Sequence, residues 1–135
     1  MRLITQQTAY INSVSFFANA SPTADGSGFL SSYGNVRHNT GQYDNSTGIF
    51  TVPVKGYYFI GAASRTEGNG QLFAVINGSD DVGNDGDGDG SSATDGPSFS
   101  CIRYLDRGDQ IRLQLQGSQV GSTPRHFFTM MYLGA

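Results

Sequence analysis

One cysteine, Cys101, in 135 residues excludes an internal disulfide and leaves the redox compartment open. Set in an apolar run, it reads as a buried, inert thiol. No apolar run approaches the roughly 18 residues of a membrane-spanning helix. Met1-Arg2-Leu3-Ile4 gives way at once to Thr5-Gln6-Gln7, so no signal-peptide core is present. The chain is therefore either made without one or is a mature sequence with a start Met. His38 and His126 lie far apart and, with a single Cys, form no metal-ligand spacing. No nucleophile elbow, phosphate loop or paired-carboxylate helix is present, which points away from an enzyme. Eight dispersed Lys and Arg residues make no basic stripe, which argues against nucleic-acid binding. A helical 3.6 period is missing throughout.

What is abundant is glycine, 19 residues, about twice the roughly 7 % of ordinary usage. With few Lys, Glu or Leu this is the composition of a turn-rich all-β chain. Its length makes residues 1–135 a single domain, which buries roughly 70 % of its unfolded surface without staples. Period-2 alternation predicts strands over Ala9–Phe17, Gln71–Asn77, Phe99–Leu105, Gln110–Gln116 and His126–Leu133. Asp106-Arg107-Gly108-Asp109 would join Phe99–Leu105 and Gln110–Gln116 as a hairpin, while Asn19–Gly28 and Ser64–Gly70 read as a loop and a polar turn. The last strand is apolar on both faces, with Phe127, Met131 and Leu133 on one and Phe128, Met130 and Tyr132 on the other, so it is central or lies at an interface.

The chain is organised around Tyr33–Ala62. Asp44-Asn45-Ser46-Thr47-Gly48 is a turn cluster, followed by the β-prone Ile49-Phe50-Thr51-Val52, a corner at Pro53 and Gly56, and a strand with Tyr58, Ile60 and Ala62 on one face and Tyr57, Phe59 and Gly61 on the other. Tyr43, Gly48, Phe50, Gly56 and Tyr58 fall at the spacing of the C1q globular-head signature, with Asn39 one place off the usual polar position, which His38 occupies. Ile60 and Ala62 depart from that pattern, where aromatics are usual, so the packing around Ala62 must be filled from elsewhere. Ser100 to Leu113, with Leu105, Gly108, Asp109, Ile111 and Leu113, and the terminal Phe128-Thr129, with Met130 in place of Gly, add two further matches. From about Tyr10 to the end the chain thus resembles the C1q head family, related to the tumour necrosis factor fold. The resemblance implies an all-β, two-sheet antiparallel jelly-roll sandwich, a homotrimer, and a secreted, extracellular protein.

Two functional classes follow from the resemblance. One is a lectin-like pattern-recognition protein of innate immunity that binds carbohydrate or other microbial surface ligands. The other is a trimeric structural or signalling head that binds a protein receptor. No Gly-x-y collagen stalk accompanies the head. Sugars present apolar C–H faces and paired hydroxyls, so rings or planar cations beside amides are the groups to seek. By that test the candidate ligand-binding residues are Tyr33, Asn35, Arg37 and His38 before the central motif, and Arg125 and His126 before the last strand.

Six of the eleven acidic residues crowd into Asp80–Asp95, against a formal net charge of −3, so the remainder of the chain is net positive. Asp85, Asp87 and Asp89 followed by Gly90 match the first half of a calcium loop, in which alternate carboxylates meet one hard cation. The twelfth position is Gly96 rather than a bidentate Glu, which excludes an EF-hand. A calcium site and a solvated connector extended by like charges both remain open. Asn45-Ser46-Thr47 and Asn77-Gly78-Ser79 are glycosylation sequons, relevant if the chain is secreted.

Overall fold

The computed structural model describes residues 14–67, 70–85, 94–117 and 126–135. They form strands only: β1 (Ser15–Asn19), β2 (Thr23–Ala24), β3 (Leu30–Ser31), β4 (Asn35–Asn39), β5 (Tyr43–Asp44), β6 (Ile49–Thr51) and β7 (Gly56–Ala63), then β8 (Thr66–Glu67), β9 (Gln71–Ile76), β10 (Ser79–Asp85), β11 (Thr94–Asp95), β12 (Ser98–Leu105), β13 (Gln110–Gln116) and β14 (Phe127–Gly134). Two antiparallel five-stranded sheets, ordered β12-β7-β14-β1-β4 and β10-β9-β13-β6-β5, pack face to face; β2-β3 and β8-β11 are short extra pairs. This is the two-sheet jelly-roll sandwich expected from the sequence.

The alternation that predicted the strands also places the core. Tyr58, Ile60 and Ala62 of β7 and Phe128, Met130 and Tyr132 of β14 are buried against Phe50, Ile111 and Leu113 of the other sheet. Aromatic rings join the layers: Phe16 lies parallel on Tyr43 with centroids 4.1 Å apart and meets Phe128 edge-on at 4.9 Å, while Phe50 meets Tyr58 at 6.0 Å. The space beside Ala62 is filled from its neighbours, since Phe99 of β12 and Phe128 of β14 stand in register with it on either side. Two motif glycines have steric reasons. Gly48 turns at φ 76°, and a Cβ there would stand 1.9 Å from the Leu30 carbonyl oxygen; at Gly56 a Cβ would come within 2.6 Å of Gly134 and of the Tyr132 ring.

Several expectations need correction. Residues 99–105 and 110–116 do not form a hairpin: β12 pairs with β7 in one sheet, and β13 pairs with β6 and β9 in the other. The Asp106–Asp109 turn, fastened by Asp106 N donating to Asp109 Oδ2 at 2.8 Å, carries the chain across the end of the sandwich. Both strands thereby turn their apolar positions to the same core from opposite sides, which a local hairpin would not allow. The first strand runs on to Asn19 rather than ending at Phe17, because β4 and β14 supply partners on both sides; residues 9–13 lie outside the described part. Within the expected loop, β2 pairs with β3, and within the expected polar turn Ser64 and Thr66 are buried.

Asp80 to Asp85 belong to an edge strand rather than a loop. Asn77 and Gly78, at φ 52° and 85°, reverse the chain so that β10 pairs with β9. Asp81 of β10 lies 3.0 Å from Arg103 Nε of β12, an ion pair without hydrogen-bond alignment that spans the two sheet edges. Cys101 is only partly buried; it packs against the core, and desolvation raises its thiol pKa despite the opposing pull of Arg103. That agrees with an inert thiol.

Candidate functional site

The outward positions of β12, β7 and β14 in the first sheet form one uncharged surface. Ser98, Ser100, Ile102 and Tyr104 of β12 alternate with the inward Phe99, Cys101, Arg103 and Leu105, and Tyr57 and Phe59 of β7 alternate with the core residues above. Register places Tyr57 beside Tyr104, and Phe59 between Ile102 and Met131. The Tyr57 and Tyr104 rings meet at 4.9 Å in an edge-on contact. Tyr57, Ile102, Tyr104, Met131 and Leu133 are all exposed, Ile102 at 61 %, and Phe17 and Phe127 extend the surface with stacked rings 5.8 Å apart. The outward residues of β7, β12 and β14 include no Asp, Glu, Lys or Arg. Sequence reasoning found Tyr57, Phe59 and the last strand but missed Ile102 and Tyr104; the alternation within Phe99–Leu105 was the signal that carried them.

The six candidate ligand residues divide. Asn35, Arg37 and His38 come together, exposed, on edge strand β4. There Arg37 Nε donates to Asn19 Oδ1 at 3.3 Å, and His38 Nε2 hydrogen-bonds Ser15 Oγ at 2.8 Å. Tyr33 and His126 are instead buried in the single chain. Asn45 draws Tyr33 inward: its Oδ1 accepts from Tyr33 N, and its Nδ2 donates to Tyr33 O, both at 3.0 Å. His126 Nδ1 hydrogen-bonds Ser64 Oγ at 2.9 Å inside the sandwich. A ring among polar residues reads as surface in the sequence; here backbone fastening and the last strand's entry cover both rings. Arg125, Asp87 and Asp89 lie outside the described residues, and Asp85 ends β10. Among the described residues no group of three His, Cys, Asp or Glu is placed to hold a metal.

Both sequon asparagines fasten turns. The Asn45 bonds are those above, and Asn77 Nδ2 donates to Asp109 Oδ1 at 2.9 Å. Burial, reinforced by the Tyr43 phenolate, pushes the Tyr33 phenol far above its ordinary range; burial and then Asp44 do the same to Tyr43. Such raised acids contribute stability that is complete below the unfolded value, about 10, and that is lost as the pH climbs beyond it toward the folded values. Ultraviolet titration should therefore show these two of the seven tyrosines ionising only as the fold is lost, with stability falling above about pH 10. Ionisation of every phenol near pH 10 in a folded protein would contradict this burial.

Comparison with known proteins agrees with the architecture. The family model for the C1q domain matches residues 15–131. The globular domain of zebrafish complement 1qA protein superposes with a TM-score of 0.64 at 16 % identity, covering 87 % of this chain and 92 % of that one. Murine APRIL at pH 5.0 superposes with a TM-score of 0.69 at 13 % identity, covering 88 % and 98 %. At these identities the likeness shows the fold. No curated protein matches the sequence. No helix of the described residues is long and apolar enough to cross a membrane.

Proposed function

We propose that this chain, which belongs to the C1q domain family, works as a secreted homotrimeric recognition head that reads carbohydrate on microbial surfaces. The C1q domain is a recognition domain and not an enzyme. The observation that carries the reading is the uncharged face of Tyr57, Phe59, Ile102, Tyr104 and Met131. A monomer leaving it in water would expose contiguous apolar surface, whereas closed three-fold assembly covers it without leaving an open end for further growth.

Assembly supports the lectin reading through valency. Hydrogen bonds to sugar hydroxyls barely exceed their desolvation, so one shallow site binds weakly; three on a rigid head gain roughly 10² to 10⁴ in avidity on a repetitive surface. A glycan array followed by calorimetry with a monosaccharide and with the polysaccharide bearing it tests this. Avid polysaccharide binding beside weak monosaccharide binding is expected. A blank array, with saturable binding to a purified protein receptor, would replace carbohydrate by protein recognition.

A further inference from the structure

The second sheet carries two adjoining depressions at its outer side. The larger, about 710 Å³, is lined by Gln42, Asp44, Thr51, Arg107 and Gln110 among others. The smaller, about 150 Å³, is lined by Val75, Asn77, Gln110 and Arg112. Ile49 and Gln110 line both, so the two depressions adjoin across these side chains in one grooved surface. The larger falls within the roughly 300–1,000 Å³ of small-molecule sites.

Its walls are set before any ligand arrives. Asn77 N donates to Gln110 O at 2.9 Å, Gln110 N returns a bond of 2.9 Å to Asn77 Oδ1, and Asp109 ties the same asparagine to the β12–β13 turn. Asp44 accepts on Oδ1 from Ser46 Oγ at 2.6 Å and from Ser46 N at 2.9 Å, bonds that hold its carboxyl below the usual range and keep it ionised. The Gln110 side-chain amide has no protein hydrogen-bond partner among the described residues. Arg112 lies over Phe29, with its guanidinium carbon 3.4 Å from the ring centroid. A contact with the ring face consumes none of the guanidinium N–H donors, which leaves them for an acceptor. Neither Arg107 nor Arg112 has a carboxylate partner among the described residues.

We propose that this groove is the saccharide site and that it takes an acidic oligosaccharide. Sugar hydroxyls bond to Asp44 and Gln110 in the larger depression, and a carboxylate meets the fork of Arg112 in the smaller one, with Arg107 adding positive charge at the rim. The groove lies on the sheet opposite the assembly face, so a trimer keeps three copies open. The β4 edge offers a flat strand whose Arg37 and His38 already bond to Asn19 and Ser15. This inference rests on the carbohydrate reading above.

An array of uronic- and sialic-acid oligosaccharides, each printed beside its methyl ester, tests it with the full chain. The expected result is binding to the free acids that falls about tenfold or more on the esters, because a charge-assisted pair is lost. Arg112→Gln should abolish the preference of acid over ester, and Asp44→Asn should weaken binding to both. Each variant's melting temperature and mass establish that it folds and assembles. Unchanged binding by folded Arg112→Gln and Asp44→Asn, with loss in His38→Ala, would move the site to the β4 edge and overturn this inference while leaving the lectin reading intact. Equal binding to acids and esters would overturn the acidic ligand. A blank array for the unaltered chain would overturn the lectin reading and this site with it.

Discussion

Phe16→Ala is expected to lower the unfolding free energy by about 3–5 kcal/mol, a large share of the roughly 5–15 kcal/mol that stabilises a domain. Phe16 is fully buried on β1 and touches both layers: Tyr43 and Phe50 of one sheet, with centroids at 4.1 and 5.6 Å, and Phe128 of its own sheet at 4.9 Å. Truncation loses the transfer of a whole ring and leaves a cavity that two flanking strands prevent from collapsing. It also removes parallel and edge-on ring contacts worth about 0.5–1.5 kcal/mol each beyond area. The neighbouring Phe17 faces outward, partly exposed, and among the described residues its ring stacks on Phe127 alone. With both variants measured by urea titration at constant assembly state, Phe17→Ala should cost distinctly less than Phe16→Ala. Equal costs for the two would contradict the assignment of faces.

Ile102→Glu should have the largest effect on assembly, converting trimers to monomers while leaving the chain folded. Ile102 is the most exposed large apolar side chain on the described surface and stands beside Phe59 in a face without charge. Three-fold closure would bring three carboxylates into a desolvated apolar surface, each costing several kcal/mol without a partner. Within one chain the residue makes no core contact, so the circular dichroism spectrum should survive. The concentration dependence of melting, a mark of linked assembly, should vanish.

The fold was legible because the recognisable residues are those that stack between layers. Tyr43, Phe50 and Tyr58 come from β5, β6 and β7, and their rings bridge the sheets, so their spacing encodes the sandwich. Gly48 and Gly56 were legible for the same reason, since neighbouring backbone or side chains leave no room for a Cβ. Strand partnership was not legible for β12 and β13, because alternation states which face is buried and says nothing of which edge is paired. The β9–β10 hairpin is legible in principle, since Asn77-Gly78 is a strong turn signal, but the density of aspartates that follows reads as a solvated connector rather than a strand.

The site was less legible than the fold. Asn35, Arg37 and His38 are exposed as their chemistry predicts, but burial of Tyr33 depends on Asn45, twelve residues away, and burial of His126 on Ser64, sixty-two residues away. The groove joins Asp44, Asn77 and the Gln110–Arg112 stretch of β13 from three places in the chain, a set that no local spacing announces.

The central claim is that the uncharged outer face of β7, β12 and β14 is covered by two further copies of the chain. Light scattering coupled to size exclusion at micromolar concentration tests it directly. The expected mass is about three times the 14.4 kDa of one chain. A mass of one chain at that concentration, with the far-ultraviolet spectrum of a folded β protein, would contradict it.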